Sequence, residues 1–269
     1  MTTFDLWPGD APGKAHGDAP RIYYYPTSEK KGRGAVVIFP GGGYIKRATP
    51  EDKGGFSKAI NDLGLDCFIV GYRVNEDASP DLFPAPMLDA RRAMRFVRTN
   101  AERFGIDSSK IAAMGSSAGG HLTAFTSTYR GALKGETQDE IDAVDYMPNL
   151  QILCYPVTSC ASHRPSYINL LGESAEAIAD GYDPILLADD KTPPAFIWHT
   201  AEDPGVSVLG SYNYAARLKE LGIPVEMHIF PFGAHGLGTG KVGHRGLEPH
   251  ITIWTELLRR WLELFGFYS

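Results

Sequence analysis

Residues 115–119 read Gly-Ser-Ser-Ala-Gly, a G-x-S-x-G pattern centred on Ser117. A serine hydroxyl attacks carbonyl carbon only when it is presented clear of the backbone and a neighbouring base takes its proton. The pattern meets the first condition. A sharp strand-to-helix turn exposes the hydroxyl, and glycines at both ends leave room where side chains would collide. The flanks agree, with the apolar run KIAAM (110–114) before the motif and the helical stretch AGGHLTAFTSTY (118–129) after it. The start of that helix also brings free amides and the positive end of a dipole to the reaction centre. The chemistry implied is acyl transfer through a covalent serine intermediate. Ser116 stands at an x position, so its side chain points elsewhere.

A second glycine cluster, Pro40-Gly41-Gly42-Gly43-Tyr44, directly follows the run AVVIF (35–39). No Gly-Lys-Ser/Thr follows it, which argues against a phosphate loop. It reads as an HGGG-type loop with proline in place of the leading histidine. The backbone amides of such a loop meet the negative charge that develops on the substrate oxygen. The expected donors are the amides of Gly42 and Ala118, with Gly43 as a third.

Chains built around this elbow carry the rest of the triad downstream in the order Ser, Asp or Glu, His. His235, in Phe232-Gly-Ala-His-Gly-Leu-Gly just after VEMHIF (225–230), is the expected base, with His244 and His250 as alternatives. Asp203, where AFIWHT (195–200) runs into Ala201-Glu202-Asp203-Pro204-Gly205, is the expected acid. Its task is to hold the imidazole tautomer and stabilise the imidazolium. Glu202 is adjacent and chemically able. His199 and His228 fall within predicted strands and are assigned to structure. His121, four residues beyond Ser117, is assigned to the wall near the site. His163 lies in a long excursion where it is within reach of substrate, and His16 has no role.

The elements that must position these residues are legible as short apolar runs alternating with helical patterns. Strands are predicted at Arg21–Tyr25, Ala35–Phe39, Cys67–Tyr72, Lys110–Met114, Gln151–Pro156, Ala195–His199 and Val225–Phe230. Several are apolar on both faces, as strands covered by helices on each side must be. Ala90, Ala93, Val97, Ala101 and Phe104 form one helical stripe, and Ile251, Trp254, Leu258, Trp261 and Phe265 another. Arg91, Arg92, Arg95 and Arg98 are read as the solvated face of the first of these helices. The alternation predicts a mostly parallel, doubly wound sheet with helices on both faces, and ligands at the carboxyl ends of its strands. No repeat or linker divides the 269 residues, so residues 1–269 are read as a single domain with a small lid or substrate wall, at most, at 158–194.

Composition narrows the function further. Hydrophobic residues make up 43%, charged residues 22%, and the net charge is −6 with no basic cluster for nucleic acid or anionic lipid. No apolar run reaches the length of a membrane span. The start MTTFDLWPGDAPGK has no basic-then-apolar leader, giving a cytoplasmic expectation unless a leader has been removed. Cys67, Cys154 and Cys160 lack C-x-x-C spacing and read as reduced, mostly buried thiols rather than a disulfide framework or a zinc site.

Nearly the whole chain resembles the acetyl esterase and acetyl-xylan esterase branch of the α/β-hydrolases, particularly the bifunctional feruloyl and acetyl-xylan esterase type. The resemblance is carried by LWPG, VIFPGGGY, GYRV, DARRAMRFVR, KIAAMGSSAGGHL, CYPV, NLLGE, TPPAFIWHTAED and SYNYAARLKELGIPVEMHIFPFGAHGLG, in that order, and by the closing amphipathic helix. It implies the α/β-hydrolase fold, a triad of Ser117, Asp203 and His235, and no metal or organic cofactor. The Pro-Gly-Gly-Gly-Tyr form is similar to that of the branch. Two departures are Asp203-Pro-Gly-Val-Ser, where the branch has a Val-Pro pair, and Glu51-Asp52, where it has Glu-Gly. The substrates implied are small-molecule or oligosaccharide esters, acetylated sugars or xylan fragments foremost and feruloyl esters besides. Trp7, Tyr167 and Tyr182 are either sugar-stacking or packing residues. The alternatives are an arylformamidase-type amide hydrolase with the same triad and a silent hydrolase fold acting as a binding module. A prolyl oligopeptidase-like peptidase would bring a propeller domain, which this sequence lacks. Oligomeric state is left open.

Overall fold

A computed structural model describes residues 1–13, 19–47, 55–76, 82–136, 139–240 and 249–269. Glu51, His16 and His244 lie outside the described residues. The strands are β1 (Thr2–Asp5), β2 (Arg21–Tyr25), β3 (Ala35–Phe39), β4 (Asp66–Gly71), β5 (Ile111–Ser116), β6 (Leu150–Cys154), β7 (Ala195–Thr200) and β8 (Val225–Phe230). They form one sheet in the order β1-β2-β4-β3-β5-β6-β7-β8. The first two pairings, β1 with β2 and β2 with β4, are antiparallel, and all the others are parallel. The predicted strands are all present, with ends shifted by one or two residues. The unpredicted β1 is a four-residue, mostly exposed edge strand whose sequence, TTFD, offers too short an alternation to read.

The helices are α1 (Phe56–Asp62), α2 (Ala85–Thr99), α3 (Ala101–Phe104), α4 (Ala118–Thr128), α5 (Arg164–Leu171), α6 (Ala175–Ile178), α7 (Pro184–Leu187), α8 (Val208–Glu220) and α9 (Trp254–Leu264). The stripe expected as one helix from Ala90 to Phe104 is two, because the chain leaves helical geometry at Asn100. Alternate residues of the central strands feed two cores, as the twofold period of a strand requires. Val37 and Phe39 of β3 pack with α2 and α4 through Met94, Val97, Leu122 and Phe125. Val36 and Ile38 face the other way, with Ile60 of α1 and Trp254, Leu258 and Trp261 of α9. Helices therefore cover both faces, as expected of an α/β-hydrolase. No helix among the described residues is long and apolar enough to cross a membrane.

One expectation is overturned on α2. Arg91 and Arg92 are each only 2% exposed and Arg95 is buried, so these are not a solvated face. Arg91 and Arg95 bind Glu136 at 2.7 and 2.9 Å, and Arg92 binds Asp139 at 2.5 Å and Asp142 at 3.1 Å. Their partners come from the loop after α4, more than forty residues on, and dock it across the helix. Buried guanidinium groups persist because carboxylates neutralise them there. Trp7 and Tyr167 are likewise buried. The Trp7 indole donates to Asp89 at 2.9 Å and the Tyr167 hydroxyl to the Tyr182 carbonyl at 3.3 Å, so both are packing residues.

The sheet changes winding direction at β3, which has β4 on one side and β5 on the other. A crevice at the carboxyl ends of strands forms at such a point. The two glycine motifs of the sequence leave the sheet there, one from β3 and one from β5.

Candidate active site

Ser117 sits between β5 and α4 with φ 54° and ψ −123°. A non-glycine residue held at positive φ costs on the order of 1–3 kcal/mol, which the surrounding packing must supply. Both flanking glycines are required by contact. A Cβ on residue 115 would fall 2.0 Å from the Gly119 carbonyl oxygen, and one on residue 119 would fall 2.0 Å from that of Phe39. The turn is tied to the end of β6 and the segment just beyond it, since the Ser117 N–H donates to the Cys154 carbonyl at 3.1 Å and the Ser117 carbonyl accepts from Val157 N–H at 3.0 Å.

The loop after β3 lies against this elbow. A Cβ on Gly41 would approach the Ser117 Cβ to 3.0 Å, and the Gly41 N–H donates to Ser116 Oγ at 3.2 Å. Ser116 is thus occupied with the loop and not with the base. Gly42, at φ 137°, folds the loop back so tightly that a Cβ would lie 1.9 Å from the Lys46 carbonyl oxygen. Tyr72 holds the Pro40 carbonyl with its hydroxyl, and Asn169 of α5 donates to the Gly43 carbonyl at 2.8 Å. Among the described residues, the amides of Gly42, Gly43 and Ala118 have no hydrogen-bond partner. Three uncommitted donors thus come from the two segments that meet at Ser117.

The other side of the serine faces an imidazole. His235 Nε2 is 2.8 Å from Ser117 Oγ, and its Nδ1 is 2.7 Å from Asp203 Oδ2. A carboxylate only accepts, so Nδ1 carries the proton and Nε2 is left to accept from the serine hydroxyl. The loop bearing His235 is pinned at two points. Thr200 Oγ1 donates to the Gly233 carbonyl at 2.8 Å, and the Gly238 N–H donates to the Tyr155 hydroxyl at 3.1 Å. The Tyr155 ring also meets the imidazole edge-on at 5.2 Å.

Asp203 and Glu202, which the sequence leaves side by side, are separated by the fold. Glu202 is exposed, whereas the Asp203 side chain is 1% exposed. Asp203 Oδ1 accepts the N–H groups of Gly205 and Val206 at 2.8 and 2.9 Å. Oδ2 accepts from His235 and from a second imidazole, His199 Nε2, at 3.1 Å. Burial alone would raise the proton affinity of this carboxyl. Donation from His199, His235 and Val206 outweighs it and holds the group well below the usual carboxylate range. His199 in turn accepts at Nδ1 from the Ser211 hydroxyl at 2.8 Å, which fixes its tautomer.

His199, which in the sequence reads as a structural strand residue, is therefore part of this hydrogen-bonded site. Its signal was its place at the penultimate position of a strand, four residues before the acid. The remaining histidines separate cleanly. His121 is fully buried, its Nε2 donating to the Tyr182 carbonyl at 2.9 Å and its Nδ1 accepting from Tyr44 at 2.7 Å. It buttresses the β3 loop through Tyr44, which itself stands at φ 63°. His250 bonds the Phe232 carbonyl and His228 bonds Glu226, both away from Ser117. Cys67 and Cys154 are buried and Cys160 is half-buried, and all three are thiols rather than disulfides. Among the described residues, no group of three or more His, Cys, Asp or Glu side chains is placed to hold a metal ion.

The chain is similar to known proteins over most of its length. The BD-FAE family profile matches residues 22–218. Endo-1,4-beta-xylanase B of Butyrivibrio fibrisolvens is 33% identical over 226 residues, a match covering 83% of this chain and 35% of that protein. The acetylxylan esterase of Xylanibacter ruminicola is 31% identical over 238 residues, covering 83% of this chain and 45% of that protein. The chain thus spans less than half the length of these curated relatives. Among solved structures, the acetyl ester-xyloside bifunctional hydrolase from Caldicellulosiruptor lactoaceticus superposes with a TM-score of 0.88 at 34% identity, covering 100% of this chain and 97% of that one.

Proposed function

The chain belongs to the BD-FAE family of α/β-hydrolases, and from that premise we propose that it is a carboxylic ester hydrolase that removes short acyl groups, acetyl foremost, from sugars or xylan fragments through a serine acyl-enzyme. The observation that carries the mechanism is the unbroken hydrogen-bonded series from Asp203 through His235 to Ser117, at 2.7 and 2.8 Å, beside three uncommitted amides.

In the first half-reaction Ser117 Oγ attacks the ester carbonyl while His235 Nε2 takes its proton. The amides of Gly42, Gly43 and Ala118 receive the carbonyl oxygen as it becomes negative. Asp203 stabilises the imidazolium without itself being protonated, as its strongly depressed proton affinity requires. His235 then protonates the departing alkoxide, leaving the acyl group on Ser117. Water repeats the sequence, returning the acid and the free serine. The whole chain acts as one catalytic domain in this reading, with the 158–194 excursion as the wall that meets the alcohol portion.

The preference for acetyl esters of sugars is supported by what the relatives are named for, since an acetylxylan esterase and an acetyl ester-xyloside hydrolase are among them. Acetate release from acetylated xylo-oligosaccharides, compared with turnover of N-formylaniline, tests it. Acetate release is expected to dominate in kcat/KM. Faster cleavage of the formamide would replace this reading with the amide hydrolase, and no turnover of either with the silent fold.

A further inference from the structure

Helix α5 ties together the two sides of the reaction centre. Near its C-terminal end, Asn169 donates to the Gly43 carbonyl and the Leu170 carbonyl accepts from Phe83 N–H at 3.1 Å, which fastens it to the β3 loop and its neighbours. Just before its N-terminal end, the Ser162 carbonyl accepts from Ser207 N–H at 3.0 Å. Ser207 closes the turn that begins at Asp203, and at Gly205 in that turn a Cβ would touch the His235 Cβ at 3.0 Å. An eight-residue helix is about 12 Å long. One end of α5 is thus joined to the acid-base pair and the other to the oxyanion loop.

His163 caps this helix. Its Nδ1 accepts from Ser166 N–H at 3.2 Å and lies 2.8 Å from Ser166 Oγ. With Nδ1 committed as an acceptor, the neutral ring carries its proton on Nε2, which points away from the helix. Among the described residues that Nε2 has no hydrogen-bond partner. The ring is half-buried and lies within electrostatic reach of the triad. Burial first, and then the charge His235 can carry, hold His163 to its neutral form, with Asp203 opposing them. Capping needs only a side-chain acceptor, which serine or asparagine supplies at least as well. The imidazole adds a donor that is uncharged, and so does not oppose the imidazolium formed on His235 during catalysis.

We propose that His163 is a specificity residue whose Nε2–H hydrogen-bonds a hydroxyl or ring oxygen in the alcohol portion of a polyol ester, next to the ester being cleaved. This rests on the sugar-deacetylase reading above. The test compares two esters with the same acyl group, a monoacetylated methyl β-D-xyloside and phenyl acetate, in wild type, His163→Ser and His163→Asn. Both variants keep a cap acceptor, and neither carries a donor that reaches as far as Nε2. The ratio of kcat/KM for the xyloside acetate over phenyl acetate is expected to fall about tenfold in both, the size of one lost neutral hydrogen bond, mainly through KM. An unchanged ratio would overturn the inference while leaving the deacetylase reading intact. Wild type that cleaves phenyl acetate but not the xyloside acetate would overturn both. If the variants do not fold, nitrogen NMR of histidine-labelled wild type decides. Saturating methyl β-D-xyloside is expected to shift the His163 Nε2–H resonance, and an unmoved resonance would overturn the inference.

Discussion

His199 and His235 donate to the same carboxylate oxygen, Asp203 Oδ2, from 3.1 and 2.7 Å. One carboxylate thus aligns two imidazoles, one facing the serine and one buried behind it and anchored to Ser211. Together with the Gly205 and Val206 amides on Oδ1, this leaves Asp203 no freedom to rotate away from the base. Removing the rear donor is expected to cost kcat, because aim at the reacting atoms is lost while substrate contacts are untouched. A hydrogen bond to a charged group contributes about 1.5 kcal/mol or more, equivalent to about tenfold in rate. His199→Leu should therefore lower kcat about tenfold with KM little changed. His199→Gln, whose amide can reach the same oxygen, should recover most of it. Steady-state kinetics of all three proteins checks this, and equal rates for the leucine and glutamine variants would contradict it.

The two middle glycines of the β3 loop should answer differently to alanine. At Gly42 a Cβ would meet the Lys46 carbonyl oxygen at 1.9 Å, backbone that cannot yield. At Gly43 the nearest atom is Asn169 Nδ2 at 3.9 Å, and only the φ of 68° is unfavourable. Gly43→Ala is expected to cost about 1–2 kcal/mol of stability and to retain measurable activity. Gly42→Ala should displace the loop and lose nearly all activity. Urea melts with parallel assays distinguish the two, and similar behaviour of both would show that the loop is not held as described.

Acid should destabilise the fold through His121. Burial lowers this histidine from 6.5 to about 4, against a smaller opposing contribution from its bond to the Tyr182 carbonyl. The unfolded chain therefore binds a proton that the folded chain refuses between those two values. Stability rises with pH where the unfolded state holds more protons, so this contribution is fully present above about pH 6.5 and falls as pH drops towards 4. The loss amounts to on the order of 3 kcal/mol. Comparing urea-derived stability at pH 7 and pH 4.5 in wild type and His121→Gln checks it. A variant with the same pH dependence as wild type would contradict it.

The buried arginine network of α2 should behave as core rather than surface. Arg92→Leu removes the guanidinium 3.1 Å from Asp142, whose side chain is fully buried, and leaves the more distant Arg95 at 3.7 Å. Breaking a buried pair from one side costs about 3–5 kcal/mol. Denaturant melts should show a loss of that size, whereas a change below about 0.5 kcal/mol is what a surface substitution gives.

The sheet and the elbow were legible because their determinants are local. Strands such as AVVIF are apolar on both faces, and the glycines at 115 and 119 are dictated by contacts within the turn itself and with the neighbouring strand end. What stayed illegible depends on partners distant in sequence. Arg91, Arg92 and Arg95 looked like a solvated face because Glu136, Asp139 and Asp142 follow more than forty residues later. Turn amides from Gly205 and Val206 hold Asp203 and not Glu202, and no composition rule distinguishes the two carboxylates. His199 reads in the sequence only as a strand residue. Strand patterning cannot tell that the turn after β7 folds Asp203 back onto it.

Most of the reading rests on Ser117 as the nucleophile of an ester hydrolase that prefers short acyl groups. Initial rates on p-nitrophenyl acetate, butyrate and octanoate, with wild type beside Ser117→Ala, test it most directly. Turnover is expected to be fastest on the acetate, to fall with chain length and to drop about ten-thousandfold or more in the variant, as loss of a triad nucleophile does elsewhere. Ser117→Ala with wild-type turnover would contradict it.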